Sequence, residues 1–252
     1  MTPEDRSVDP GVEARASQLT EGMLRLASKV DLAERFLANA AHEMKTPLAN
    51  LSGELQLALM RERGAEEYRQ AITLALEHTE HLVELTNDLL MFARISYTPA
   101  PQDPEPCNLR AVILDALHVS QRRKGERAVV VDVEEELDVV GRPEELARLF
   151  RNLLDNALEY SPPDAPVVTR CTIHEGEVVI AVEDGGKPID PGLAETLFLP
   201  FRRGPGAGGG GYGLGLGIAR AIARRHGGDL SLDHAAASVR FLVRLPLLPR
   251  SA

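Results

Sequence analysis

Nine residues divide this 252-residue chain into two parts that cannot share one fold. The run TPAPQDPEP, residues 98–106, carries four prolines, and such a run forms a stiff, extended spacer, not a packed element. On its N-terminal side the pattern is helical, from about Arg15 to Arg61 and from about Glu66 to Tyr97, with a polar break at RERGAE where Gly64 stops the first helix. Leu37, Ala41, Met44, Leu48, Leu51 and Leu55 recur at alternating steps of four and three. Tyr68, Ala71, Ala75, His78, Leu82, Leu85, Leu89 and Phe92 do the same. Two long helices joined by a short loop predict an antiparallel hairpin. Each stripe is narrow and the hairpin's own core thin, which predicts a homodimer closing into a four-helix bundle. Residues 1–14 are polar and predict a frayed tail.

Beyond the prolines the signals alternate. A helix fits Leu109 to about Arg123, and strands fit AVVVDV and LDVV. A strong helix runs from Pro143, suited to a first turn, to about Tyr160. VVTRCTI and EVVIAVE make a hairpin turning at Glu175–Gly176, a helix follows from about Gly213 to His226, and GGDLSLDH with SVRFLVRLP makes another hairpin. Helices mixed with hairpin-connected strands predict a two-layer α+β sandwich with helices on one face of a sheet.

Composition narrows the function classes. A formal charge of −10 argues against a nucleic-acid surface, which needs clustered Lys and Arg. Cys107 and Cys171 have neither metal-ligand nor redox spacing and read as reduced thiols. No apolar run approaches the roughly 18–20 residues of a membrane span, and no basic-then-apolar leader opens the chain. The expectation is a soluble, cytoplasmic segment making no membrane contact itself, compatible with the cytoplasmic part of a longer membrane sensor.

The first chemistry-bearing stretch is FLANAAHEMKTPLANL, residues 36–51. His42 has Glu43 beside it and Thr46 one helical turn on, so imidazole and hydroxyl share a face. Pro47 removes the N–H that would reach the Glu43 carbonyl and predicts a bend. This reads as a reaction site on a helix, or as an exposed polar turn ending at a proline. His78, on the apolar seam of its helix, is assigned no chemistry.

Three further stretches lie past the prolines. In RNLLDNALEY, Asn152 and Asn156 share a helical face while Leu149, Leu153 and Leu154 point elsewhere; amide oxygens suit magnesium bridging phosphates, or the pair is surface polarity. In VEDGGKPID, Asp184 leaves a strand end before Gly185 and Gly186, where a carboxylate can accept from the exocyclic amine of adenine, or simply form a turn. In GPGAGGGGYGLGLGIARAIARRHGG, glycines at 206, 208–211, 213, 215 and 217 lead into a helix, forming an anion cradle or a flexible linker. The run matches neither the phosphate loop ending in Gly-Lys-Ser/Thr nor a strand-led dinucleotide fingerprint.

With these residues in hand, the chain from about Arg15 to Leu247 resembles the catalytic core of a sensor histidine kinase of two-component signalling. FLANAAHEMKTPL is similar to that family's H box, RNLLDNALEYSP to its N box and EDGGKPI to its first glycine box. LFLPFRRG is similar to its F box and GGYGLGLGIAR to its second glycine box. The resemblance implies a dimerisation and phosphotransfer hairpin followed by an ATP-binding domain of the Bergerat type. It implies a signal-transmitting linker and tail over 1–35, the hairpin over 36–97, a linker over 98–106 and the ATP-binding domain over 107–248. By it His42 is the phosphoacceptor, Glu43 its acid–base partner and Thr46 the hydroxyl that positions water in a phosphatase reaction. Asn156 would coordinate Mg2+ with Asn152 in support, and Asp184 would recognise the adenine of ATP. Gly186, Gly211, Gly213, Leu214 and Gly215 would shape the lid and phosphate site, and Arg203 or its neighbour Arg202 would meet the γ-phosphate. The implied partner is the receiver domain of a response regulator.

Three departures stand out. Pro188 occupies a position where the first glycine box keeps a glycine, Glu159 one where the N box often has a basic residue, and the segment from Asp190 to Gly206 is short for a lid. Proline stiffens and a carboxylate repels phosphate, so ATP binding weaker than is usual in the family is expected. Two other readings compete. One is a kinase-weak scaffold or phosphatase that binds a response regulator; the other is an ATPase of the gyrase or chaperone kind, which would lack the His-Glu-x-x-Thr-Pro hairpin.

Overall fold

The computed structural model of the chain describes residues 10–97, 105–124, 127–203 and 211–248. The tail at 1–9, most of the proline-rich linker and the glycines at 206 and 208–210 lie outside the described residues. The chain divides into two compact units, Met1–His78 and Thr79–Ala252.

Two helices make the hairpin, α1 (Pro10–Leu59) and α2 (Ala65–Tyr97). Between them the Tyr68 N–H donates to the Gly64 carbonyl at 3.1 Å, and Arg61 pairs with Glu67 at 3.1 Å. Glu66 and Glu67 occupy the first turn of α2, where carboxylates favour the positive end of the helix dipole. Helix α1 runs unbroken through Pro47, which is buried although its nitrogen has no proton for the Glu43 carbonyl.

Burial separates two stripes on α1. Phe36, Ala40 and Pro47 are buried, whereas the leucines of the sequence seam are not: Leu37 is 66% exposed, Leu48 48% and Leu55 44%. On α2 the sequence seam is the buried one at Ala71, Ala75, Leu85 and Phe92. A second stripe there, Ile72, Leu76, Val83 and Leu90, faces outward. The leucines were the louder signal on α1, but a small alanine and a proline that lets side chains approach closely mark the buried face.

The second unit is a two-layer sandwich. Its strands are β1 (Glu105–Asn108), β2 (Val129–Asp132), β3 (Asp138–Gly141), β4 (Val167–His174), β5 (Glu177–Asp184), β6 (Asp229–Leu232) and β7 (Val239–Pro246). The main sheet has the order β2-β4-β5-β7-β6; β2 and β4 are parallel and every other neighbouring pair is antiparallel, while β1 and β3 form a separate antiparallel pair. Inward residues alternate along the strands, with Val178, Ile180, Val182 and Asp184 on β5 and Val239, Phe241, Val243 and Leu245 on β7 all buried. Strand β1 overlaps the proline-rich run, and Pro106 is tolerated because β1 pairs on one side only.

Helices α3 (Leu109–Lys124), α4 (Pro143–Tyr160) and α5 (Gly215–Arg225) form the other layer. Pro143 opens α4, as expected, with Glu144 and Glu145 in its first turn. Its buried residues Leu146, Leu149, Phe150, Leu153, Leu154, Ala157 and Leu158 follow steps of three and one, a continuous apolar face. Burying one of the leucines contributes about 1.5–3 kcal/mol. Two contacts tie α4 to α5. Glu145 pairs with Arg225 at 3.2 Å, both side chains nearly buried. His226 accepts the Arg142 N–H on Nε2 at 3.1 Å and its Nδ1 lies 2.8 Å from the Ile222 carbonyl, so the ring carries its proton on Nδ1.

The β4–β5 hairpin turns at Glu175 and Gly176, with φ of 51° and 83°. Two successive positive φ values favour Asn-Gly, and glutamate is strained there. Replacing Glu175 by Asn should raise stability by about 0.5–1 kcal/mol in urea unfolding; an unchanged or lower midpoint would contradict this turn geometry.

Candidate functional site

One cavity of the second unit, about 920 Å³, gathers most of the residues singled out in the sequence. The polar face of α4 lines it with Asn152, Asp155, Asn156, Glu159 and Tyr160. The end of β5 adds Asp184, Gly186 and Lys187, and the start of α5 adds Gly211, Gly213, Leu214 and Gly215. Arg202 and Arg203 complete the lining from the segment before the undescribed glycines, and the second half of α2 contributes Glu84 and Asp88, the latter paired with Arg148.

Each group is held by a specific device. Asn152 is buried on α4 and its Nδ2 donates to the Gly215 carbonyl at 2.9 Å, so this amide braces the first turn of α5. Asn156, one turn on, is half-buried and presents its amide to the cavity. Asp184 is buried, and its Oδ1 accepts the Gly186 N–H at 2.6 Å. Burial pushes its carboxyl above the ordinary range, partly offset by that hydrogen bond and by the charge of Arg127.

The helix start of α5 depends on a glycine. Gly213 has φ +70°, and a Cβ there would meet the Arg202 carbonyl oxygen at 2.6 Å. Only glycine lets the chain turn into α5 while Arg202 lies against it. Helix α5 therefore begins at Gly215, two residues later than the sequence suggests, and Gly215 and Leu216 of its first turn line the cavity.

The arginine-bearing segment is gripped from α5. Two 3-10 helices, Pro191–Leu193 and Glu195–Phe198, precede it. Arg220 bonds Glu195 at 2.9 Å and Asp229 at 3.0 Å, and its guanidinium stands 4.6 Å from the centre of the Phe198 ring. Burial alone would raise the Asp229 carboxyl, yet Arg220 and Arg224 together hold it well below the usual range. Phe201, at φ +63°, makes the strained turn that carries the chain to Arg202 and Arg203.

His42, Glu43 and Thr46 belong to the first unit. His42 and Thr46 are exposed and Glu43 is half-buried, all on the continuous helix α1. The imidazole and the hydroxyl are therefore both open to solution in the single chain.

Comparison with known proteins fits both parts. Residues 32–98 match the His Kinase A (phospho-acceptor) domain, and residues 141–249 match the family of histidine kinase-, DNA gyrase B- and HSP90-like ATPases. A mycobacterial sensor histidine kinase structure, MprB, is 32% identical, with 57% of this chain covering 99% of that one at a TM-score of 0.54. This chain belongs to the sensor histidine kinases of two-component signalling. The sensor histidine kinase CusS of Escherichia coli O157:H7 is 31% identical over 84% of the chain. The chain spans about half the length of such curated relatives, 45% in the case of CusS. The histidine kinase ThkA, solved in complex with the response regulator protein TrrA, shares the fold at 19% identity, with 98% of this chain covering 69% of that one and a TM-score of 0.66.

Among the donors of this cavity, an amide oxygen suits a divalent cation shared with a nucleotide. Among the described residues no group of three or more His, Cys, Asp or Glu is arranged to hold a metal alone. The Asn156 amide oxygen is a hard donor that would need phosphate oxygens to complete the shell. Sequence reasoning missed Tyr160, Arg127 and Arg220. Tyr160 follows Glu159 at the end of α4 and offers the cavity an aromatic face, a signal available in the motif itself.

The raised Asp184 carboxyl has a stability consequence. A carboxyl whose folded value lies above its unfolded value contributes stability below the unfolded value and loses it as pH rises through the folded one. At neutral pH the buried charge therefore costs stability. Asp184→Asn should raise the unfolding midpoint near pH 7, with the gain vanishing under acid conditions, while weakening adenine nucleotide binding at least about tenfold. A lower midpoint at pH 7 with binding intact would contradict the assignment.

Proposed function

We propose that the chain is the core of an ATP-dependent protein-histidine kinase that phosphorylates His42 and passes the group to an aspartate of a response regulator. The observation that carries this is the single cavity on which the α4 amides, buried Asp184 and the α5 helix start converge. Asp184 accepts a hydrogen bond from the adenine amine, and Tyr160 offers its ring to the base. The N–H groups of Gly213, Leu214 and Gly215 face the phosphates, with the start of α5 adding its dipole. Mg2+, when bound by Asn156 and phosphate oxygens with Asn152 behind it, would neutralise charge on the transferring group.

The Nε2 lone pair of neutral His42 forms the bond to the γ-phosphorus as the bond to the bridging oxygen of ADP breaks. Glu43 takes the proton from Nδ1, and Arg203 or Arg202 meets the equatorial oxygens. Thr46, one turn from His42, is placed to orient water when a phosphorylated partner is hydrolysed. ThkA bound to TrrA supports a receiver domain as that partner.

The outward stripes support a homodimer. Leu37, Leu48 and Leu55 on α1 and Ile72, Leu76, Val83 and Leu90 on α2 are all exposed in a single chain. Two copies joined along these stripes make a four-helix bundle. We assign 1–35 to a signal-transmitting linker, 36–97 to dimerisation and phosphotransfer, 98–106 to the interdomain linker and 107–248 to ATP binding. With ATP as substrate and a response regulator as partner, we assign this segment to the cytoplasm. Among the described residues no helix is long and apolar enough to cross a membrane.

Incubation with γ-labelled ATP should give a phosphoprotein stable in alkali and labile in acid, and His42→Gln should abolish it. Label persisting in that variant refutes the assignment. A chain that dephosphorylates a labelled regulator yet never acquires label would instead favour the scaffold-phosphatase reading, for which Pro188 and Glu159 are the motive. Glu159 lines the cavity and Pro188 is exposed just beyond the first glycine box. Glu159→Lys and Pro188→Gly should each tighten ATP about three- to tenfold by calorimetry; no gain from either removes the idea that these departures weaken binding.

A further inference from the structure

Arg127 stands at the entrance to β2, outside every stretch that carries the family likeness. Its guanidinium nonetheless reaches four backbone carbonyls. Nη1 donates to the Leu158 carbonyl at 2.9 Å and to that of Ser161 at 3.5 Å. Nη2 donates to the Pro162 carbonyl at 2.5 Å and to that of Ala165 at 2.8 Å. These oxygens belong to the last turn of α4 and to the strap linking it to β4. Helix C-terminal carbonyls have no intrahelical partner, and a guanidinium fork is well shaped to satisfy several at once.

The strap lies against the nucleotide cavity. It begins directly after Tyr160, and Ala165 packs on Gly185, where an added Cβ would lie 2.3 Å from the Ala165 Cβ. Gly185 sits between Asp184 and Gly186, both of which line the cavity. Arg127 is itself anchored: Gln121 of α3 bonds its carbonyl at 3.1 Å, and the Ala128 carbonyl accepts the Val167 N–H at 3.2 Å. A rigid arginine thus holds the segment joining the aromatic and acidic sides of the base pocket.

We infer that Arg127 is a positioning residue for the adenine base: its four carbonyl contacts fix the strap that sets Tyr160 and Asp184 at their separation. Arg127 touches no lining group of the phosphate end and is not itself a catalytic residue. Its loss acts on ground-state and transition-state binding alike, because the base does not change during phosphoryl transfer. The signature is a higher KM at unchanged kcat. This inference rests on the cavity being an ATP site.

The test compares the wild-type chain with Arg127→Met and Arg127→Lys by calorimetric titration of ADP and ATP and by His42 phosphorylation. Arg127→Met should raise Kd about tenfold for ADP and ATP alike, with one site per chain and a saturated rate within about twofold of wild type. Arg127→Lys, which keeps the charge but not the fork, should raise Kd about threefold. Unchanged Kd in both variants overturns the inference, as does a lowered site number or lowered kcat at unchanged affinity, the mark of a purely structural loss. Should the methionine variant fail to fold, the lysine variant decides by the same criteria. Absence of nucleotide binding in the wild-type chain would instead overturn the ATP reading itself.

Discussion

The hydrogen bond from Asn152 to the Gly215 carbonyl, 2.9 Å long, is the joint on which the second unit's site depends. One side of α4 is committed to the core by seven apolar residues, which leaves its polar side only one direction to face. Asn152 sits at the edge of the two sides, buried, and spends its amide hydrogen on the helix that begins across the cavity. A buried amide left without that acceptor costs about 1–3 kcal/mol, so the bond sets how closely the start of α5 approaches α4. The Glu145–Arg225 pair and the His226 ring fix the other end of the same two helices. The two helices are thus tied at two places, and residues of both line the cavity between them.

Two groups in or beside the cavity are ones that a stable fold would avoid. Asp184 is a buried carboxylate whose burial raises its carboxyl against the help of Gly186 and Arg127. Phe201 adopts a positive φ that a bulky aromatic seldom takes. Asp184 lines the cavity, and Phe201 directly precedes the lining residues Arg202 and Arg203. Strain and unfavourable burial persist only where surrounding contacts over-determine them, and here Arg127 and Arg220 supply those contacts. The two arginines brace different parts of one cavity's surround, the first by gripping carbonyls on either side of Tyr160 in the chain and the second by gripping the segment that leads to Arg202 and Arg203.

Where one physical signal dominated, the sequence was readable. The bounds of α4 follow from Pro143 at its start and an uninterrupted apolar period, and the β4–β5 turn from Gly176. On α2 the unbroken three-and-four period from Tyr68 to Phe92 marks the stripe whose members Ala71, Ala75, Leu85 and Phe92 are buried. On α1 the leucines Leu37, Leu48 and Leu55 mark a stripe exposed in a single chain, whereas the buried positions are Phe36, Ala40 and Pro47. Strand β1 was hidden by prolines that an edge position tolerates. Among the candidate site residues, His42, Asn156 and Asp184 stand out in the sequence by their side-chain chemistry, and the fold brings Asn156 and Asp184 to one cavity. Asn152 was legible as a polar residue but not as a brace, since its partner is a carbonyl 63 residues away. Arg127 and Arg220 were illegible for the same reason: their partners are backbone atoms or distant side chains that only the fold assembles.

In the proposed reaction a nucleotide held in the cavity of one unit phosphorylates His42 in the other, and the place of the phosphoryl group tests that link most directly. The chain should be incubated with Mg·ATP, digested at neutral pH to preserve phosphoramidates, and mapped by mass spectrometry. One phosphoryl group on the peptide containing His42, with fragment ions placing it on the imidazole, is the predicted result. Phosphate on serine, threonine or aspartate, or ADP released from a chain that carries no phosphate, would contradict it.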